Sequence, residues 1–272
     1  MKIYLATCGS FDKILKKNFD EVRILTSYFY MNKSKPLIKK DYTVEQFLDS
    51  GAFSAWSKKE EIDIDKYADY IKKNIGTIDH YANLDIIGDA EATSKNQKYL
   101  ESVGLHPMPV FHYNEPFEAL KALLDNYEYI ALGGMVPITT GRLIPWLNEV
   151  FHLVCDEEGN ATRKIHGFGM TTTTIIKRYP WYSVDSISPF YGAGFGRIYD
   201  EAGELDLSRN TGHVDLATRL YLEKNRQNFK FEELKEDYKQ RIIYNIQFFL
   251  RLEKELTETP PKFKHLQQKL WQ

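Results

Sequence analysis

Cysteine is nearly absent: Cys8 and Cys155 are the only two among 272 residues. Two thiols supply neither a disulfide framework nor a cysteine-rich zinc site. Long hydrophobic runs are missing too, since no apolar stretch approaches the roughly 20 residues that span a bilayer. The opening segment Met1-Lys2-Ile3-Tyr4-Leu5-Ala6 is too short for a secretion signal and reads as a first strand. These absences argue against a membrane partner and lead to the expectation of a cytoplasmic protein. No charge of one sign dominates either. The formal net charge is −2, so no global basic field announces nucleic acid. No glycine-rich phosphate-binding fingerprint follows the first strand, and no low-complexity or Pro/Gly-rich linker divides the chain.

What is present is an ordinary globular balance, 43% hydrophobic and 27% charged, organised as alternating strand-like and helix-like segments. Strands are predicted at Lys2–Thr7, Gln46–Asp49, Tyr81–Ile87, Met108–His112, Tyr129–Leu132, Lys164–Phe168 and Trp181–Val184, and an eighth stays open. Ile62, Tyr67, Tyr70, Ile71 and Ile75 recur at helical spacing. Ser94 is read as the cap of a helix that Gly104 ends, and Pro116 as the first turn of a helix over Glu115–Tyr127. Thr140–Val154 and Thr172–Arg178 supply two more, and Glu232–Glu255 reads as one long helix. Units of this length and number predict an α/β fold, a (β/α)8 TIM-type barrel, rather than an open doubly wound sheet. The expected organisation is a single domain over 1–272, with the barrel over about 1–215. A helical C-terminal extension covers about 216–272, its Lys-rich tail beyond Pro260-Pro261 either packing on the outside or fraying. The aromatic wealth, 18 Tyr and 16 Phe, is read as packing.

Chemistry is expected at the corners where strands end. Asp49 in Phe47-Leu48-Asp49-Ser50-Gly51 and Asp185 in Ser183-Val184-Asp185-Ser186 each close a short apolar run. A strand's C-terminal edge is where α/β enzymes place reactive groups. Between the two lie Asp85, His112, the Gly133-Gly134-Met135 corner and His166-Gly167-Phe168-Gly169. One strand-end Asp is as often a helix cap, one His a satisfied polar group, and Gly-Gly a tight turn. Six corners in one order converge on a single rim if the strands form a barrel.

That order, Asp-Ser-Gly-Ala-Phe, Leu-Asp, Phe-His, Leu-Gly-Gly-Met, His-Gly-Phe-Gly-Met-Thr and Val-Asp-Ser over about residues 45 to 190, resembles the tRNA-guanine transglycosylase superfamily. It is most similar to the phage and bacterial branch that inserts 7-deazaguanines into DNA. The resemblance implies that Asp185 is the nucleophile at C1′ of the target nucleoside, and Asp49 the acid/base. Ser50 and Gly51 belong to the same motif, where Ala52 stands for the family's second glycine. It further implies that Asp85 reads the purine's N–H edge, and that Gly133, Gly134 and Met135 present backbone N–H groups to the base. His112 occupies the place where the transfer-RNA enzymes carry a glutamine, and His166 and Gly167 complete the base-binding set. No cofactor is implied. The transfer-RNA enzymes also hold zinc with three cysteines and a histidine, a set this chain lacks. DNA is therefore the expected polymer partner, with tRNA as the alternative and a 7-deazaguanine base as the small-molecule partner.

Three features bear on the polymer. Residues 1 to 40 hold nine Lys/Arg against three acids, an excess that would steer a phosphate backbone. Lys33, Lys35, Lys39 and Lys40, just before the Asp49 strand, are the candidates for a backbone groove. The Gly192-Ala193-Gly194-Phe195-Gly196-Arg197 segment is read as a loop that either contacts the strand through Arg197 or simply turns. Two acids on a rim also suit a hydrolytic glycosidase, and a barrel that only binds nucleic acid is the non-enzymic alternative.

Overall fold

The computed structural model describes residues 1–7, 9–31, 35–201, 203–208, 216, 219–222, 224 and 229–264. Eight strands form one parallel sheet: β1 (Lys2–Ala6), β2 (Val22–Ser27), β3 (Thr43–Asp49), β4 (His80–Tyr81), β5 (Val110–His112), β6 (Tyr129–Gly133), β7 (Lys164–Gly167) and β8 (Ser183–Ser186). Their order is β4-β3-β2-β1-β8-β7-β6-β5. The sheet curls: past the last rungs of its two edge strands, Ala82 bridges to Met108, with the Asn83 N–H 2.9 Å from the Met108 carbonyl. Helices follow the strands: α1 (Asp12–Asn18), α2 (Ala52–Lys58), α3 (Ile64–Asn74), α4 (Ala90–Ser102), α5 (Phe117–Asn126), α6 (Thr140–Val154), α7 (Thr173–Ile176) and α8 (Ser188–Gly194). A small antiparallel hairpin, β9 (Arg197–Asp200) with β10 (Gly203–Asp206), precedes α9 (Phe231–Glu236) and α10 (Tyr238–Glu258).

Strand periodicity sorts the side chains into two faces. Tyr4, Leu25, Phe47, Ala82, Met108, Val110 and Ala131 pack together on the concave face, drawn from β1 through β6. The His166 ring of β7 joins them, 4.9 Å from Phe47 and 6.1 Å from Tyr4. Rings from β1, β3 and β7 can meet only across a curled sheet. The alternate residues face the helices: Ile3, Phe111, Ile130, Leu132, Ile165 and Val184 pack with α5, α6 and α10, while Leu48 packs with α3 and α4. Continuing the alternation to the strand ends places Asp49, His112, Gly133 and Asp185 on the concave side, with Ser27 level with Asp49, His112 with Gly133, and Tyr4 with Asp185.

Several expectations change. Val22–Ser27 is the eighth strand; its Arg23 looks too polar for one until it pairs with Glu45 and Glu253. The strand expected over Tyr81–Ile87 stops at Tyr81, because Asn96 and Thr93 side chains bond the backbone at Leu84 and Ile86 instead. Ser94 lies inside α4, whose cap is Asp89, accepting the Ala92 N–H at 2.9 Å. The helix expected as one piece over Glu232–Glu255 is two, broken at Asp237, whose carboxylate caps α10. Gly192 and Gly194 belong to α8 rather than to a loop; a Cβ on Gly192 would sit 2.7 Å from the Tyr199 hydroxyl. The last long helix is no outlying appendage. Ile242 and Ile246 pack with Leu5 and Ile24, and Phe248, Phe249 and Leu252 with Ile3. Phe263 is buried against Phe151 and Tyr179.

Candidate active site

Three strand ends bring their carboxylates and one imidazole to the C-terminal edge of the sheet. At β3 the chain turns sharply: Gly51 has φ +81°, and a Cβ there would run into Ser27 Oγ and Phe29 Cβ, so only glycine fits. That turn aims the Gly51 N–H at Asp49 Oδ2, 3.0 Å away. Ser50, fully buried, donates its hydroxyl to Asp85 Oδ1 at 3.2 Å and accepts the Ala52 N–H. Asp85 thus reaches the site from the loop after β4. Its Oδ2 lies 2.8 Å from His112 Nε2.

His112 is held on both sides. Its Nδ1 is 3.0 Å from Glu115 Oε1, and its backbone N–H donates to Glu115 Oε2 at 3.1 Å. The ring is 4% exposed and fits because residue 133 lacks a side chain: a Cβ on Gly133 would lie 2.9 Å from His112 Cδ2. Burial alone would drive the imidazolium to lose its proton. The hydrogen bonds to Asp85 and Glu115 prevail and push the pKa up to about 9. Near neutral pH this is a buried cation between two anions.

Asp49 is pushed the other way from an ordinary acid. Protein packed around the carboxyl raises its pKa first, and the charges of Asp85 and Asp185 add to the effect, giving about 8; the Gly51 N–H opposes it weakly. Asp49 therefore carries its proton near neutrality. Asp185, on β8, accepts the Gly169 N–H at 2.9 Å, a bond that Gly169 can direct because its φ is +63°. His166 Nε2 lies 3.3 Å from the same Oδ1 without aligned hydrogen-bond geometry, and it has no other partner. Both acids thus accept a backbone N–H, while burial and neighbouring carboxylates push Asp49 towards its protonated form.

Of the residues expected to form the site, Asp49, Ser50, Gly51, Asp85, His112, Gly133, Gly134, His166 and Asp185 lie at this edge. Met135 packs its side chain, 3% exposed, into the outer core with Phe111 and Trp146, which leaves its backbone as the part that could serve a base. Gly167 faces outward, where a Cβ would meet Trp181 at 2.9 Å; it is a packing glycine. Lys39 pairs with Asp79 and Lys40 with Asp12, both lysines just before strand β3. Lys35 and Lys40 line a cleft of about 240 Å³ that reaches Thr26 near the end of β2 and Thr7 and Gly9 past the end of β1. Lys33 lies outside the described residues. Arg197 opens β9, beyond α8, and pairs with Glu204 at 3.2 Å. Glu115 and Gly169 are the functional residues the sequence reading missed. The His112-x-x-Glu115 spacing and the second glycine of Gly167-Phe168-Gly169 were the available signals.

The other clefts, about 350 and 460 Å³, open at the N-terminal ends of the strands, so cavity size does not locate the chemistry; the carboxylates do. Among the described residues no cluster of three or more His, Cys, Asp or Glu side chains is set to hold a metal ion, and no helix is long and apolar enough to cross a membrane. No family model matches this chain, and no curated protein matches it significantly.

Proposed function

We propose that the curled sheet is a (β/α)8 barrel closed at the Ala82–Met108 bridge. We further propose that its C-terminal rim exchanges a guanine in DNA for a 7-deazaguanine base, as the resemblance to the tRNA-guanine transglycosylase superfamily implies. The observation that carries the reading is the meeting of two acids on one rim, Asp49 beside the Ser50–Asp85–His112 hydrogen-bond chain and Asp185 held by the Gly169 N–H, with burial pushing the Asp49 pKa up to about 8.

In this reading Asp185 attacks C1′ of an unpaired or extruded guanosine. The C1′–N9 electron pair leaves with the purine, which takes the Asp49 proton, and a covalent ester between Asp185 and C1′ of the deoxyribose remains. The incoming base then returns its N9 proton to the Asp49 carboxylate. Its nitrogen forms a new bond to C1′ and expels Asp185. Two inversions preserve the β configuration, and no redox partner or cofactor is required. Acid/base help of this kind is worth roughly 10²–10⁴ in rate. Asp85 holds Ser50 and His112 with one lone pair on each oxygen, and the remaining pairs suit the N–H edge of a guanine. The Gly133-Gly134 corner supplies backbone groups for the rest of that edge. DNA is preferred over tRNA because two cysteines cannot build the zinc site of the transfer-RNA enzymes. A cytoplasmic place of action accompanies that polymer.

The deciding experiment is mass spectrometry of nucleosides from DNA incubated with the protein and a panel of 7-deazaguanine bases. A modified deoxynucleoside and a protein–DNA adduct at Asp185, absent in Asp185→Asn, are expected. Failure to exchange any base, or an adduct that survives Asp185→Asn, overturns the proposal. Exchange of labelled guanine into tRNA but not DNA reassigns the polymer, and release of free base with no acceptor base makes the protein a hydrolase.

A further inference from the structure

Behind the proposed nucleophile runs a buried polar chain for which base exchange has so far provided no role. Tyr129, at the start of β6, places its hydroxyl 2.5 Å from Ser183 Oγ. Ser183 Oγ is 2.6 Å from His166 Nδ1. The other ring nitrogen, Nε2, points to Asp185 Oδ1 at 3.3 Å and has no other partner. His166 and Ser183 are fully buried, and the imidazole is walled by Phe47, Phe168 and Tyr4 at 4.9, 4.7 and 6.1 Å between ring centres. Polar groups in such surroundings persist only when their bonds are made.

The two possible proton arrangements are not equivalent. If Nδ1 held the proton, Ser183 would accept it and donate to Tyr129, and the bare Nε2 lone pair would face a carboxylate oxygen. If Tyr129 donates to Ser183 and Ser183 donates to Nδ1, then Nε2 carries the hydrogen and meets the carboxylate as a donor. Burial holds the Tyr129 phenol well above its ordinary pKa, so its proton is kept for donation. The second arrangement satisfies every group in the chain; the first leaves two lone pairs opposed.

We propose that Tyr129 and Ser183 fix His166 as its Nε2–H tautomer, and that His166 thereby acts as a positioning residue. It supplies the second donor to Asp185 Oδ1 opposite the Gly169 N–H, and turns Oδ2 toward the sugar. Its distance of 3.3 Å and imperfect alignment fit a bond that tightens as the carboxylate swings onto C1′. The inference rests on Asp185 being the nucleophile.

The test has two independent arms. Nitrogen-15 NMR of the histidines in the unliganded protein is expected to show His166 as the Nε2–H tautomer, and Ser183→Ala to convert it partly to Nδ1–H. A wild-type Nδ1–H tautomer overturns the inference whatever the protein catalyses. In the kinetic arm, labelled guanine is exchanged into single-stranded DNA. His166→Ala is expected to lower kcat roughly 10- to 100-fold, the range for a hydrogen bond to a charged group, with KM for DNA nearly unchanged. His166→Gln, whose amide N–H can replace Nε2–H, recovers part of the loss. A folded His166→Ala with wild-type kcat, or a glutamine variant no better than alanine, refutes the positioning role. Absence of exchange by the wild-type protein defeats the transglycosylase reading and leaves the NMR arm to decide the tautomer.

Discussion

The two ends of the sheet treat charge in opposite ways. At the N-terminal end Lys2 and Arg23 share Glu45, at 2.5 and 3.1 Å, Tyr4 donates to the same carboxylate at 2.8 Å, and Arg23 also reaches Glu253. Burial would raise the Glu45 pKa, yet its partners win and hold it below the ordinary value. At the C-terminal end Asp85 and Glu115 hold His112, Asp185 lies 3.3 Å from His166, and Asp49 is driven up to about 8. One end spends its polar groups on mutual satisfaction. The other keeps acids in states that water would not choose, the condition under which a group is ready to move a proton.

The sharpest way to break this contrast is Asp49→Asn. The rate of adduct formation is expected to fall by roughly 10²–10⁴, while the fold gains about 2–4 kcal/mol at pH 8. The sign follows from the shift. A carboxyl whose folded pKa lies above its unfolded 3.8 stabilises below the unfolded value and loses that contribution as pH rises through about 8. The gain from asparagine should therefore shrink towards acid pH, as urea titrations of both proteins at several pH values will show. At the other end Glu45→Ala removes the counter-charge of Lys2 and leaves Arg23 with Glu253 alone. A loss of about 2–3 kcal/mol is expected, discounted from the cost at a fully buried pair because the side chains retain some exposure. Base exchange per folded molecule should be unaffected, and thermal melts with active-site titration separate the two effects.

Smaller effects sharpen the comparison. His112, raised from 6.5 to about 9, stabilises the fold fully below 6.5 and less as pH climbs through 9. His112 should therefore add about 1–2 kcal/mol to the decline in wild-type stability that Asp49 causes in the same range, and less in Glu115→Gln, where one of the two supporting carboxylates is neutral. Melting temperature against pH reads this directly. Gly133→Ala presses on the His112 ring and is expected to slow exchange about tenfold with a stability loss near 1 kcal/mol, measured by labelled-guanine incorporation and urea unfolding. Lys16→Ala, which removes a fully solvated pair with Asp41, should leave melting temperature and exchange rate at their wild-type values, as surface pairs contribute little.

The sequence disclosed the strands whose apolar runs are continuous, and through them the corner residues, because side-chain direction at a strand end follows from period two. It hid what depends on distant partners. Arg23 within β2 looked unlike a strand residue until Glu45 and Glu253 supplied its counter-charges. Glu115 was invisible as a site residue because its role exists only once His112 folds back onto it. Met135 stood beside two site glycines, yet the strand ends at Gly133 and the turn at Gly134, φ +67°, carries the Met135 side chain to the outer core.

Glu253, on α10, accepts the Ile3 N–H at 2.6 Å and binds Arg23, and the Thr257 hydroxyl bonds the Met1 carbonyl. The outer face of the first strand is therefore covered by a segment some 250 residues later. During synthesis β1 must wait, with Ile3 and Leu5 uncovered, until α10 has emerged, so the rim that β1 and β8 share is completed last. Pairings so remote slow folding and lengthen exposure of apolar surface.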